Sequence, residues 1–262
     1  MSTLKKWGKS SSRMPFLESN ITVEEYLSFL ISRQVRDKEI TGVGTLSPVP
    51  LMGALLARKT HATLGKLIVL GDEDAALVDG SKELFDLAQR GRLGLFFLSG
   101  AQIDGKGNIN LTCIGEYDAP RVRLPGGAGS AMLSYMSRRT ILFAMNHNSR
   151  VFVEKLDFVT SRGDDSYHWR KGRVTKVVTP LCVFSYSPDR ERLEVESIHR
   201  GVTAGEIENS TGFEVFIPQD RLVSILPSEE TIQIIRNEVL IEAATIYPLF
   251  VRKLDMKISA LR

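Results

Sequence analysis

The sequence is poor in residues that would commit it to a metal, a disulfide framework or a membrane. It has two cysteines, Cys113 and Cys182, and four histidines, His61, His147, His168 and His199. The cysteines lie in apolar, strand-like contexts and read as reduced, buried thiols. The histidines are far apart with no metal-ligand spacing, so no metal site is expected. No apolar run approaches the roughly 20 residues of a transmembrane helix. Residues 1–15 are basic and Ser-rich without an apolar core segment, so they do not read as a secretory signal. Neither sign of charge dominates: 34 Lys and Arg against 31 Asp and Glu leave a net +3. The bases are scattered apart from Lys5-Lys6, Arg138-Arg139 and the 170–176 cluster, which makes no case for nucleic acid. These absences point to a cytoplasmic protein with no membrane and no nucleic acid among its partners.

What is present is an ordinary globular composition, 43% hydrophobic and 25% charged over 262 residues, long enough to bury a sizeable core. Residues 1–18 read as a flexible tail and 19–262 as one domain. A helix begins near Asn20-Ile-Thr-Val-Glu-Glu, with Asn20 or Thr22 as cap and Tyr26, Leu27, Leu30, Ile31 and Val35 at helical spacing. Glu39–Gly44 reads as a short strand, Thr45–Pro50 as a proline-stiffened loop and Leu51–Thr60 as a helix. Leu67–Leu70 and Leu93–Leu98 are continuous apolar runs, expected for strands buried on both faces. Ser81–Arg90 between them is a helix with Ser81 as its cap. Further strands are expected at Ile141–Met145, Val151–Asp157, within Val174–Tyr186, at Glu194–Ile198 and at Phe213–Phe216. Thr203 and Glu206 form the ends of a capping box, and Ser228 caps a last helix. Strands alternating with helices make an α/β fold: an open, largely parallel sheet flanked by helices. Ligands in such sheets sit beyond the carboxyl ends of the strands. The loops 42–50, 71–74, 100–110 and 125–130 are therefore expected on one rim.

Within that rim, Leu124-Pro-Gly-Gly-Ala-Gly-Ser130 is the stretch with the least side chain. Gly126, Gly127, Ala128 and Gly129 leave backbone N–H groups bare enough to hold a phosphate or an acyl-transfer oxyanion, or simply make a tight turn. The spacing is neither that of a dinucleotide fingerprint nor that of a P-loop. The acidic turn Asp72-Glu73-Asp74 follows an apolar strand, where a carboxylate can act as nucleophile or base, or be merely solvated. Gln102 and Asn110 carry amides suited to hydrogen-bonding a substrate or bracing a turn. Ser134 and Ser137 have no histidine nearby to make a triad. His147 follows a strand end and reads as a loop histidine before a catalytic one.

Four stretches in order carry a resemblance: Gly42-Val-Gly-Thr-Leu-Ser-Pro-Val-Pro50, Gly100-Ala-Gln-Ile-Asp-Gly-Lys-Gly-Asn-Ile-Asn110, Gly126-Gly-Ala-Gly129 and Arg150-Val-Phe-Val-Glu-Lys-Leu-Asp-Phe-Val-Thr160. With Gly201-Val-Thr and Asn209-Ser-Thr-Gly-Phe213, they resemble the B (β) subunit of glutaconate CoA-transferase and its relatives among the family I CoA-transferases, over about residues 20–240. The resemblance implies a partner A (α) subunit of similar fold, an active site at the subunit interface and acyl-CoA thioesters as substrates, with no permanently bound cofactor. It implies ping-pong transfer of CoA between carboxylic acids through a glutamyl-CoA thioester, with the Gly-rich loop at the oxyanion. Two departures stand out. The position expected for the nucleophilic glutamate reads Leu70, followed by Gly71, which leaves Glu73 as the displaced acid. The loop reads Pro-Gly-Gly-Ala-Gly where transferases tend to Gly-Ser-Gly-Gly. The alternative implied is a hydrolase or ring-opening hydrolase of the same family, as in steroid-ring degradation. There the glutamate stands on the A (α) subunit, while this chain shapes the pocket.

Overall fold

Thr22 starts the first helix, α1 (Val23–Ser32), with a reciprocal capping box: its hydroxyl accepts the Glu25 N–H while the Glu25 carboxylate accepts the Thr22 N–H. Residues 20–72, 80–164 and 167–261 are described in the computed structural model. The tail expected over 1–18 lies outside them. From α1 the chain runs into strand β1 (Ile40–Val43), helix α2 (Pro48–Thr60), β2 (Lys66–Val69), α3 (Ser81–Gln89) and β3 (Leu93–Leu98). Two short hairpins follow, β4 (Gln102–Ile103) with β5 (Ile109–Asn110), and β6 (Cys113–Ile114) with β7 (Val122–Arg123). Then come α4 (Ser130–Met136), β8 (Arg139–Phe143), β9 (Arg173–Val178), β10 (Cys182–Ser187), β11 (Arg192–Ile198), α5 (Ala204–Ser210) and β12 (Leu222–Val223). The chain ends in α6 (Glu229–Ile234), a π-helical turn (Ile235–Val239), α7 (Leu240–Ile246) and α8 (Pro248–Ser259).

Eight strands form one sheet in the order β12-β11-β10-β9-β8-β3-β1-β2. All neighbours pair parallel except those of β10, which is antiparallel to β9 and β11. The expected α/β fold is therefore present, with an antiparallel excursion at one side. Two apolar layers cover the sheet. Helices α1, α2 and α6–α8 pack on one face around Leu27, Met52, Leu56 and Ile235. Helices α3 and α4 and the β4–β5 hairpin pack on the other around Leu84, Phe96, Ile103 and Phe152. β3, buried at all six residues, is the strand both layers close on.

Helices α1 and α2 cross at Gly53, where a Cβ would meet Ile31 Cγ2 at 2.5 Å and the Ser28 carbonyl oxygen at 2.8 Å. Gly53→Ala is expected to cost about 1–3 kcal/mol by overpacking, read as a lower urea midpoint at unchanged slope.

Five expectations about the elements themselves are corrected. Pro48 opens α2 at its first position instead of ending a loop, since a proline needs no hydrogen-bond acceptor there. Gly80, not Ser81, is the N-cap of α3. β2 is an edge strand, exposed at Lys66 and only half-buried at Leu67, so its apolar run does not mark burial on both faces. Residues 151–157 form turns tied to the hairpin by the single bridge Phe152–Ile103; Asn148 caps the segment by accepting the N–H groups of Arg150 and Val151. Phe213–Phe216 likewise contributes one bridge, Phe216 to Glu194.

Candidate functional site

The sheet has a topological switch point. β1 lies between β2 and β3, so the crossover through α2 leaves β1 in one direction while the one after β3 leaves in the other. The loops beyond the carboxyl ends of β1 and β3 thus diverge and leave a crevice, where open α/β sheets bind ligands. The expected rim loops come together in two pairs. Gly71 faces the β1 loop: a Cβ there would lie 3.9 Å from Thr45 Cγ2. The Gly-rich loop is tied to the end of the β4–β5 hairpin, with Leu124 N–H donating to the Thr112 carbonyl at 3.0 Å and Gly126 N–H to the Leu111 carbonyl at 2.8 Å.

Those two bonds hold the loop so that it turns back on itself. Gly126 takes φ +88° and Ala128, unusually for a residue with a Cβ, φ +44°. Ser130 N–H then donates to the Gly127 carbonyl at 2.8 Å and α4 begins. The amides of Gly127, Ala128 and Gly129 donate to no acceptor among the described residues. The glycines are required by what stands behind them. A Cβ on Gly129 would lie 2.1 Å from the Phe85 ring, and one on Gly127 2.6 Å from Thr160 Cγ2. Thr160 is a positioning residue that sequence reasoning missed. Its hydroxyl accepts the Leu111 N–H at 2.8 Å and shares a hydrogen bond with Thr112 at 2.7 Å. It thereby fixes the strand end from which the loop hangs. The sequence signal was its place as the last residue of the Arg150–Thr160 stretch.

Gln102 and Asn110 sit opposite each other across the β4–β5 hairpin. Asn110 is completely buried. Its NH2 donates to Gln102 Oε1 and the Cys113 carbonyl, and its Oδ1 accepts from the Thr112 and Cys113 N–H groups. A buried amide with both ends engaged offers nothing to a substrate, which corrects the substrate-contact expectation for Asn110. Gln102 Nε2 donates to Asp157 Oδ2 at 3.1 Å, and its Oε1 also accepts the Asp157 N–H. Asp157 Oδ2 accepts the Gly115 N–H as well. The pair is a brace that carries both hairpins under the rim. Glu73 lies outside the described residues. Leu70 directly follows β2, and its N–H donates to the Val43 carbonyl.

His147 is a loop histidine, as expected, in the connection that leaves β8, and its ring is engaged by the protein itself. Its ring nitrogens meet Thr179 Oγ1 at 2.8 Å and Thr211 Oγ1 at 2.9 Å, and its ring packs 4.3 Å from that of Phe152. Burial, with a smaller push from His199, lowers its pKa to about 3. His199 is buried beside it and lowered to about 4 by burial. Its Nε2 donates to the Thr179 carbonyl, which leaves Nδ1 to accept from Ser224. Both rings are neutral when folded, whereas an unfolded histidine titrates near 6.5. Below that pH the unfolded chain binds more protons. Stability is therefore complete above about pH 6.5 and falls as the pH drops toward the folded values, by up to about 1.4 kcal/mol per pH unit for each histidine. Urea unfolding between pH 7 and 4.5 should show that slope, and His147→Gln should remove about half of it, the His199 share remaining. Ser137 spends its hydroxyl on the Leu133 carbonyl, and Ser134 is buried with no base beside it, so neither is a nucleophile. No described helix is long and apolar enough to cross a membrane.

A family model described as Coenzyme A transferase matches residues 71–209. The chain is 33% identical over 156 residues to the B (β) subunit of the 3-oxoadipate CoA-transferase of Pseudomonas knackmussii, a match spanning 56% of this chain and 59% of that protein. It is 26% identical to the B (β) subunit of the glutaconate CoA-transferase of Acidaminococcus fermentans over 84% of this chain and 93% of that one. It is 31% identical to the cholesterol ring-cleaving hydrolase IpdB subunit of Rhodococcus jostii over 73% and 82%. Among solved structures, the decarboxylase AibA/AibB superposes with a TM-score of 0.74 at 26% identity, over 82% of this chain and 94% of that one. A match over more than half of the sequence, on a switch-point sheet with a Gly-rich rim loop, places this chain in the coenzyme A transferase family.

Proposed function

We propose that the chain is the B (β) subunit of a heteromeric enzyme acting on acyl-CoA thioesters, with the 126–129 loop receiving the thioester oxyanion and an A (α) subunit completing the site. The observation that carries the reading is the row of unengaged amides on Gly127, Ala128 and Gly129, held at the carboxyl end of the sheet by Leu111, Thr112 and Thr160. When a nucleophile adds to a thioester carbonyl, the oxygen gains a full negative charge. Pre-aimed N–H donors stabilise that charge more than the ground-state carbonyl, which lowers the barrier. In CoA transfer the nucleophile is a carboxylate. It displaces the CoA thiolate to give an acyl anhydride; the thiolate then attacks the enzyme's carbonyl to form a glutamyl-CoA thioester and release the acid. An acceptor carboxylate reverses both steps. Glu73, two residues past Gly71, is the acid of this chain best placed in sequence for that role. The CoA ester is substrate, not resident cofactor.

A second reading has its own observation. Leu70 stands where the acid is expected, and a hydrocarbon side chain cannot attack a thioester. With the carboxylate on the A (α) subunit acting as base, water adds to the thioester carbonyl and expels the CoA thiolate, or adds to a ring carbonyl of the substrate, whose adjacent C–C bond then breaks to leave a carboxylate and a carbon that takes up the proton. The same oxyanion loop serves either addition. Relatives named for CoA transfer and for ring-cleaving hydrolysis both match this chain.

The test is to co-express the chain with an A-type partner and incubate the complex with acyl-CoA, followed by borohydride or hydroxylamine. A trapped glutamyl adduct on Glu73 supports transfer by this chain. An adduct on the partner, or CoA release that needs no acceptor acid, supports the second reading. A complex that neither binds nor consumes any acyl-CoA overturns both.

A further inference from the structure

The end of the sheet opposite the rim carries a concentration of positive charge that the reaction does not use. Lys66, Arg139 and Arg173 open β2, β8 and β9, Arg92 immediately precedes β3, and Lys38 stands two residues before β1. Because these strands are parallel, the basic side chains gather at one edge. Three of them, Lys38, Arg92 and Arg139, line a cavity of about 520 Å³ together with Arg36, Arg138 and the carboxylates of Asp37 and Glu39. Its volume is in the range of small-ligand sites. Five of its lining residues are cationic and two anionic, so this small patch carries as large an excess, +3, as the whole chain.

The two carboxylates are already spent. Glu39 holds the Arg139 guanidinium through both oxygens, at 2.7 and 2.9 Å, and accepts the Arg36 N–H. Asp37 accepts the Leu64 N–H at 2.8 Å. The cations facing them are less engaged. The side chains of Arg36, Lys38 and Arg92 are exposed and have no acceptor among the described residues, and Arg138 uses only Nε, on the Gly91 carbonyl. Gly94 keeps the floor open: a Cβ there would lie 2.9 Å from Glu39 Oε2, so any side chain would push the carboxylate that restrains Arg139. Guanidinium forks bind phosphate and carboxylate oxygens two at a time. No aromatic ring lines the cavity that would stack a nucleobase.

We infer that this cavity binds a compact multivalent oxyanion, a polyphosphate or a polycarboxylate, at a second site about 20 Å from the catalytic rim, the length of a six-residue strand. Bound there, the anion bridges the α1–β1 turn to the starts of β3 and β8 and stabilises the fold by mass action. The inference is independent of the chemistry at the rim.

Calorimetric titration of the full chain with pyrophosphate and with citrate, against acetate at matched ionic strength, tests it. At least tenfold tighter binding than acetate is expected from one of the two, and the tighter one names the class. Arg92→Gln/Arg138→Gln should weaken that binding at least tenfold. Arg92→Lys/Arg138→Lys should weaken it measurably too, because charge is kept but the forks are lost. Circular dichroism confirms that both variants fold; if the glutamine pair does not, the lysine pair decides. Binding no tighter than acetate, equal binding by the lysine variant, or loss of binding when the chain is assembled with its A-type partner would each overturn the proposal.

Discussion

Gly127→Ala is expected to lower kcat/KM of the assembled enzyme by about 10²–10³-fold, the usual cost of losing one oxyanion donor, with kcat falling at least as much as the rise in KM. The added Cβ would stand 2.6 Å from Thr160 Cγ2 and 2.9 Å from Ser130 Oγ. Thr160 cannot yield freely, because its hydroxyl is bonded to Leu111 N–H and to Thr112. The loop must move instead, and its free amides move with it. A 1 Å displacement at a reacting centre can cost about 10²-fold by itself. Thr160→Ser removes the clashing methyl and keeps the hydroxyl. The double variant Gly127→Ala/Thr160→Ser should therefore recover at least tenfold over Gly127→Ala alone. Steady-state kinetics on the four proteins of this cycle are sufficient. Wild-type activity in Gly127→Ala would remove the loop from the mechanism. Loss without rescue would show that the backbone at position 127 itself, not the clash with Thr160, is what matters.

Arg236→Met is expected to destabilise the protein by about 3–5 kcal/mol, the range for breaking a buried ion pair on one side. Glu25 is fully buried, and Arg236 is 11% exposed with its Nε 2.6 Å from Glu25 Oε1. The same guanidinium donates to the Asn20 carbonyl at 2.6 Å and to Glu25 Oε2 at 3.3 Å. One arginine thus closes the start of α1 onto the C-terminal helices, 211 residues later in the chain. Methionine fills similar volume without charge, so the loss reports the uncompensated Glu25 carboxylate and not a cavity. Glu25→Gln added to Arg236→Met should return at least half of the stability, since the amide oxygen still accepts the Thr22 N–H of the capping box. Urea unfolding measures both. A change below about 1 kcal/mol for Arg236→Met would show that water reaches Glu25 as soon as the arginine is gone.

Much of the architecture was legible because it is written in short-range chemistry. Thr22 with Glu25, and Thr203 with Glu206, form the capping boxes their spacing announces. The run Leu93–Leu98 is the strand its composition demands, and Ser228 caps the helix it precedes. The Gly-rich loop and the fold class also followed from the order of residues, because glycine spacing and strand–helix alternation are properties of sequence. The legible part failed where two structures share one local pattern. Val151–Asp157 has the β-branched and aromatic residues of a strand, but Asn148 caps a turn ahead of it and it meets the two-residue strand β4 through a single bridge. Leu67–Leu70 has the apolar run of a central strand, yet the order β2-β1-β3 puts it at the edge.

By itself the sequence determined the α/β class, the main capped helix starts and a loop short of side chains; that Gly126 spends its N–H on Leu111 while the next three amides stay unengaged was not in it. Each depends on residues within a few positions of one another. Only the tertiary structure decided what those amides and side chains are for. It turned Asn110 into a buried brace, made Thr160 the stop behind Gly127, and spent both ring nitrogens of His147 on Thr179 and Thr211. It also gathered basic residues from five strand starts at one edge. Those assignments depend on contacts between residues tens to hundreds of positions apart, set by the crossover directions and by which face of the sheet each segment covers. No local pattern encodes them.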